Sequence, residues 1–329
     1  MKHSNSGWWV SAFAAAALML PACALAQAQG FPDRPIKFIV PFTPGSSVDV
    51  IARIVGEGVT QELGQPSVVE NRPGAGGIIA AEYASKQPPN GYTVFVGTTG
   101  NVAAAKSLYK KLRYDSETDF APISTGWWSW NLLVVRTESP ITSVRQLIAE
   151  AKANPGKFNY GSPGVGTAGH LVGELFRLTI GADMVHVPFK GQSEEINALI
   201  GGELHFTFES IGNAVPAMKA GRLRALAVTS KERLKQLPDV PSYVEAGIPG
   251  DFELRALGMF LAPAKTPPAI VRKLSDAMVK TMAIPQVRER IDFIGVQSSG
   301  STPEVATAVL KEDIDRWTRV VKTVGVQMD

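Results

Sequence analysis

Cysteine occurs once, at Cys23, and histidine four times, at His3, His170, His186 and His205. A single thiol excludes an internal disulfide and every cysteine-based zinc pattern. Charge of either sign is scarce in excess: 33 Lys and Arg against 30 Asp and Glu leave +3. That balance indicates neither a nucleic-acid surface nor a polyacidic tail. No apolar run reaches the roughly 20 residues that a membrane-spanning helix needs. Repeats of fixed period and low-complexity segments are also missing. So are the G-x-S-x-G turn of serine hydrolases and the H-E-x-x-H helix of zinc peptidases.

What remains is a globular composition, 45% hydrophobic and 19% charged over 329 residues, with 31 Gly and 23 Pro to punctuate it. The first 26 residues read as an export signal. Lys2 and His3 start it, the mainly apolar stretch Trp8–Leu20 follows, and Ala24-Leu25-Ala26 offers a small-x-small cleavage site. Cleavage near Ala26 places the mature chain in the periplasm. Leu20-Pro21-Ala22-Cys23 loosely resembles a lipoprotein box, which makes lipidation at Cys23 the alternative.

In the mature chain, short apolar runs alternate with helical patterns. Strands are expected at Ile36–Phe42, Ser67–Glu70, Thr93–Gly97, Leu132–Arg136, Phe158–Gly161, Met184–Val187, Leu204–Phe208, Ala225–Thr229 and Gly258–Ala262. Helices are expected at Val48–Leu63, Ile78–Gln87, Val144–Ala153, Ala168–Thr179, Ser193–Ile200, Ala214–Ala220, Pro268–Ala283, Gln286–Phe293 and Glu304–Val324. This alternation predicts an α/β fold with mainly parallel sheets covered by helices. Tyr114–Trp130 and Pro238–Asp251 read as crossings between two lobes. Lobe 1 is then 27–126 plus 252–329 and lobe 2 is 127–251, with a ligand cleft between them.

Two strand-to-helix loops carry the chemistry. In the first, Thr43, Pro44, Gly45, Ser46, Ser47 and Asp49 lie at a helix N-terminus, where unpaired N–H groups and the helix dipole attract an anion. Asp49 cannot attract an anion itself and is expected to complement the dipole or accept a loop N–H bond. A plain N-cap at Ser46 or Ser47 explains the same residues. In the second, Ser162, Gly164, Gly166, Thr167 and His170 form another such loop, with Ser162 and Thr167 as hydroxyl donors. Gly164–Gly169 formally fits G-x-G-x-x-G, but it sits mid-chain and is cut from its strand by Ser162-Pro163. A glycine-rich turn without a ligand is the third reading. His170 and Glu174 form an i, i+4 pair suited to a metal or to a hydrogen bond on the helix surface. Thr98, Asn101, Asn131 and Glu209 lie near the C-terminal ends of strands, where open α/β sheets bind ligands. Trp128 and Trp130 share one face by alternation, either to stack on a flat ligand or to pack the hinge.

Ordered motifs along the chain resemble one family. They are Ile39-Val-Pro-Phe42 with Pro44-Gly45 and Asp49, Val69-Glu-Asn-Arg-Pro-Gly-Ala-Gly-Gly77, Asn90-Gly-Tyr-Thr93, Asn154-Pro-Gly-Lys157 with Asn159-Tyr-Gly-Ser162, Met184-Val-His-Val-Pro-Phe-Lys-Gly191, Ala220 to Thr229, and Leu237-Pro-Asp-Val-Pro241. From Phe31 to Gly325 the chain resembles the receptors of tripartite tricarboxylate transporters, the Bug-type extracytoplasmic solute receptors. The resemblance implies a type II periplasmic binding protein whose lobes close on a small organic carboxylate. It also implies a non-catalytic monomer that needs no cofactor, metal or nucleic acid and delivers its ligand to membrane transporter subunits. The loops matching Thr43–Asp49 and Ser162–His170 hold one carboxylate in the family, and Glu209 matches a frequently acidic position near the cleft. This chain departs in carrying Ser46-Ser47 for Gly-Gly, and Trp127–Trp130 where aliphatic residues are common. A receptor that feeds a sensor kinase and a secreted enzyme acting on a carboxylate are the alternatives.

Overall fold

A computed structural model describes residues 30–250 and 252–328; the expected export signal and Cys23 lie outside them. The first apolar run forms β1 (Ile36–Val40), buried except at Lys37. It leads into α1 (Ser47–Leu63), where Val48, Ile51, Ala52, Val55 and Val59 fall on one buried stripe. The helix stops at Gly64, whose left-handed backbone caps it. β2 (Ser67–Asn71), α2 (Ile78–Ser85) and β3 (Thr93–Thr98) follow, with β2 and β3 flanking β1 in parallel. A π-helical turn at Thr99–Ala104 then runs into α3 (Ala105–Leu108).

The next element is β4, a single strand from Phe120 to Arg136. After it come α4 (Val144–Ala153), β5 (Phe158–Ser162), α5 (Ala168–Ile180), β6 (Met184–Pro188), α6 (Gln192–Gly201), β7 (Phe206–Ser210), α7 (Ile211–Lys219) and β8 (Leu223–Val228). The chain returns through β9 (Arg255–Pro263) and finishes with α8 (Pro268–Ala283), α9 (Pro285–Phe293), β10 (Gln297–Ser298) and α10 (Pro303–Val324).

β4 belongs to both halves of the molecule. From Phe120 to Trp130 it pairs antiparallel with β9, which joins the β2-β1-β3 sheet. From Asn131 onward it pairs with β7 and β8, and β7 continues through β5 to β6. Helices pack on these strands, so the α/β expectation holds, but the sheet is mixed rather than mainly parallel, because β9 runs antiparallel to β3 and β4, and β4 runs antiparallel to β7 and β8. Phe38, Val40, Ile51, Phe260 and Met278 pack one core in the first half. Leu132, Val134, Leu199 and Ile211 pack another in the second. A third core joins Phe95 and Trp317 to Tyr160, Phe176 and Phe208, because α10 packs on β4, the Thr99–Ala104 turn and α5 together.

The stretch before Leu132, read as a crossing from Tyr114 to Trp130, is therefore mostly strand. Register shifts at Pro122/Ser124 and Thr125/Trp127 break the two-residue alternation that would have shown it. Pro122 is tolerated because β9 lies on one side of it and β10 reaches only Trp127 and Trp128 on the other. The second crossing also shifts. Val240, Tyr243 and Ile248 are buried, and Val228 N–H donates to Pro241 O, so this segment packs on the second half. The Thr229 hydroxyl still bonds Leu254 O, and the chain changes sheets at Leu254–Arg255. The helical Thr99–Leu108 stretch was also missed, since Thr and Gly at its start are poor helix formers.

Trp127 sits directly opposite Gly258, and its indole lies flat on the backbone there. A Cβ at Gly258 would fall 2.1 Å from Trp127 Cε2. Gly258→Ala should therefore destabilise the fold by about 1–3 kcal/mol, the range for overpacking. Denaturant unfolding checks this; a loss below about 0.5 kcal/mol would mean the indole moves aside freely.

Candidate functional site

The N-terminal ends of α1 and α5 point into one cavity between the halves, with about 650 Å³ of empty space including its open mouth. In the first loop Ser46 is the N-cap: its Oγ accepts from Asp49 N–H at 3.3 Å. Asp49 turns away from the cavity and braces the loop. Its carboxylate accepts from Gly45 N–H and Asn71 Nδ2, both at 2.9 Å, and from Arg53 at 3.0 and 3.1 Å. Burial pushes its pKa up, but the bonds from Arg53, Gly45 and Asn71 outweigh it and hold the carboxyl below the usual range. Ser47 and Val48 line the cavity, and Ser47 N–H reaches Asn213 Oδ1 at 3.3 Å on the opposite half. Thr43 lies instead along an outer groove with Gly164 and Lys190; Pro44, Gly45 and Ser46 shape the turn behind.

The second loop divides in the same way. Ser162 Oγ bonds Gly164 O at 3.0 Å and His186 Nε2 at 2.7 Å, while Gly166 N–H donates to His170 Nδ1 at 3.1 Å. Burial lowers His170 to about 4, and burial with the neighbouring His170 lowers His186 to about 3, so both rings are neutral near pH 7. Glu174 bonds Tyr160 and Arg177 rather than His170. Among the described residues no group of three or more His, Cys, Asp and Glu is placed to hold a metal. Thr167, Ala168 and Gly169 reach the cavity. The Thr167 hydroxyl, expected to serve the ligand, donates to Gly164 O at 2.7 Å, and no side chain caps the helix. The donors left facing the cavity here are main-chain N–H groups of the first turn of α5.

Three further walls complete the cavity. Thr98 lines it, with Asn101 folded back on it: Thr98 N–H donates to Asn101 Oδ1 and Asn101 Nδ2 to Thr98 Oγ1, each at 2.9 Å. Thr99 and Gly100 follow. On β4 alternation holds, but the cavity takes the other face: Trp127, Ser129 and Asn131 line it. Trp128 stacks under the Arg255 guanidinium at 4.0 Å, and Trp130 packs on the Leu132 core. Alternation pairs residues without saying which face meets the ligand. Glu209 lines the last wall with Gln192 and Ser210, accepting from Ser210 N–H at 2.6 Å and Asn213 Nδ2 at 3.1 Å. Gln192 was missed although it opens a helix after a strand, the signal that found the other two loops.

Phe42, Val48, Trp127, Phe208, Leu257 and Val296 give the cavity an apolar body. No Lys, Arg or His among the described residues lines it. The halves touch at its rim, where a Cβ on Gly100 would lie 2.9 Å from Gly166 O and one on Gly76 2.7 Å from Val165 O. Such a chamber can enclose a small molecule that is apolar along its length and is held at one end by neutral donors and helix N-termini.

A family model described as tripartite tricarboxylate transporter family receptor matches residues 51–326. Protein BugT of Bordetella pertussis is 32% identical over 302 residues, 92% of each chain. The solved structure of an R. palustris protein with adipate superposes with a TM-score of 0.87 at 34% identity, covering 90% of this chain and 99% of that one. MatC from Rhodopseudomonas palustris with bound malate gives 0.84 at 32% identity, covering 88% of this chain and 100% of that one. Among the described residues no helix is long and apolar enough to cross a membrane.

Behind the cavity, Thr99 Oγ1 accepts from Leu257 N–H at 2.8 Å and donates to Asp313 Oδ2 at 3.1 Å. Burial raises Asp313 to about 7 from its ordinary 3.8. The folded state therefore holds a proton that the unfolded chain releases, and stability falls as pH rises from about 4 to about 7. Asp313→Asn should flatten that slope, leaving the variant less sensitive than the wild type to a change from pH 5 to pH 8. Denaturant unfolding at the two pH values tests it; equal slopes would refute the assignment.

Proposed function

Because this chain belongs to the tripartite tricarboxylate transporter receptor family, we propose that it is an exported receptor that captures a small organic carboxylate and hands it to a membrane transporter. The observation that carries this reading is the convergence of the α1 and α5 N-termini on a chamber without basic side chains. A carboxylate there accepts bonds from main-chain N–H groups and hydroxyls, at the positive ends of two helix dipoles. The apolar walls fit the carbon body of the ligand. Adipate and malate in the two similar structures are dicarboxylates of compatible size.

The same inventory supports binding without chemistry. Ser47 and Ser129 line the chamber with no imidazole beside them to activate a hydroxyl. The Ser162–His186 pair lies outside it, and no cofactor enters the reading. We take the receptor to be a periplasmic monomer. Its lobes, expected from the sequence as 27–126 with 252–329 and 127–251, then swing a few residues later than those bounds, where β4 changes partners at Trp130–Asn131 and where the chain returns at Leu254–Arg255.

Calorimetric titration with adipate, malate and benzoate is expected to show one-to-one binding of at least one of them. Mass spectrometry should recover it unaltered, and small-angle scattering should show a smaller radius of gyration when it is bound. An altered product would make the protein an enzyme, and no binding by any carboxylate would remove the reading.

The two indoles separate the walls from the hinge. Trp127→Leu should weaken the bound acid by about 1 kcal/mol or more, since an aromatic contact is worth about 0.5–1.5 kcal/mol beyond its area. Trp128→Leu should leave affinity unchanged, because that ring faces Arg255. Equal losses in both variants would place the ligand elsewhere.

A further inference from the structure

Behind the wall that carries Gln192 and Glu209 lies a second carboxyl. Glu195, on the first turn of α6, is fully buried, and Glu209 is 2% exposed. The two side chains meet within hydrogen-bonding reach. Their outer oxygens are served: Glu209 Oε1 accepts from Ser210 N–H and Asn213, and Glu195 Oε1 meets the Thr207 hydroxyl. That hydroxyl also bonds Gly161 O at 3.1 Å, so its single proton faces two acceptors. The Oε2 oxygens of both glutamates are buried without a hydrogen-bond partner among the described residues, and so is Gln192 Oε1.

Among the described residues no cation bonds either carboxyl of the pair. On α6, Glu194 is exposed and, with the equally exposed Lys190, points outward. β5 contributes Gly161, β7 contributes Thr207 and Ser210, and α7 contributes Asn213. On β4, Leu132 pairs with Glu209 and Asn131 with Ser210. His170 packs on His186, and His186 on Tyr160, on the other face of β5, since Tyr160 and Gly161 alternate. Burial first, and then the neighbouring carboxyl, push Glu195 well above the usual carboxylate range, and burial raises Glu209. Two carboxylates at contact in such a place cannot both ionise.

We propose that the Glu195–Glu209 pair links ligand capture to protonation: as an anionic ligand enters the chamber, the pair takes up a proton from solvent. This deepens the carboxylate reading and rests on it. An anion beside Glu209 adds a further negative charge to a poorly solvated wall, which favours the protonated pair. The receptor then holds its ligand more tightly as pH falls, by up to about tenfold per pH unit when one proton accompanies each ligand.

The test is calorimetry of the full-length mature protein at pH 7 with malate or adipate, whose free forms are fully ionised, in two buffers of different ionisation enthalpy. A buffer-dependent heat equal to a substantial fraction of one proton taken up per ligand is expected. Uptake should vanish in the double variant Glu195→Gln with Glu209→Gln. Should that variant not fold, Glu195→Gln, which lies behind the wall, should cut uptake below half. No uptake, or release of a proton, by the wild type overturns the proposal. So does uptake that persists in the double variant, because the proton then belongs to the ligand or to another group such as Asp313. Binding without proton uptake leaves the carboxylate reading standing; failure of every carboxylate to bind removes both.

Discussion

A strand has two hydrogen-bonding edges, and β4 uses them on different partners along its length. Up to Trp130 it completes the sheet of the first half with β9; from Asn131 it is a central strand of the second, between β7 and β8. The molecule's division and its cavity follow from that one ladder. Partner exchange must fall where the two sheets part, and the gap they leave is the chamber. Trp127, Ser129 and Asn131 sit at the exchange point, which is why one strand supplies a wall to a site built mainly from loops.

The chamber collects donors without collecting charge. Asp49, the acid nearest the first loop, is tied to Arg53, Asn71 and Gly45 outside the cavity, and so it fixes the turn that presents Ser47 and Val48. In the second loop Ser162, Gly164, Gly166 and His170 bond one another and present Thr167 to Gly169. Each loop thus has residues that shape it and residues that face the cavity, and Thr167 does both, lining the cavity while its hydroxyl holds Gly164 O. A carboxylate held by main-chain N–H groups leaves specificity to the walls, where the indole of Trp127 and the acid pair behind Glu209 stand at different positions around the body of a ligand.

Buried acids mark the back of the chamber on both halves. Asp313 reaches Thr99 from α10, and Glu195 reaches Glu209 from α6. Burial raises both, so each holds a proton above the ordinary carboxylate range. Both carboxyls stand one residue behind the wall, buried and outside the cavity lining.

Strand–helix alternation carried most of the fold in the sequence itself, because apolar residues at two- and 3.6-residue spacing must face a core wherever the chain goes. α4 and α8 have the bounds read from the pattern, and the loops at Ser46–Asp49 and Ser162–His170 were visible as strand-to-helix turns. β4 was only half visible, since its bulges at Pro122/Ser124 and Thr125/Trp127 break alternation in the part that pairs with β9. The site was legible as loops, but not as faces. Trp128 and Trp130 were correctly placed on one side, yet the cavity opens on the other, and Thr167 spends its hydroxyl within its own loop. Gln192 and Glu195 join the same wall only because β6 leads into α6 beside β7. Local spacing determines which residues travel together; only the packing of distant strands decides which of their faces encloses a ligand.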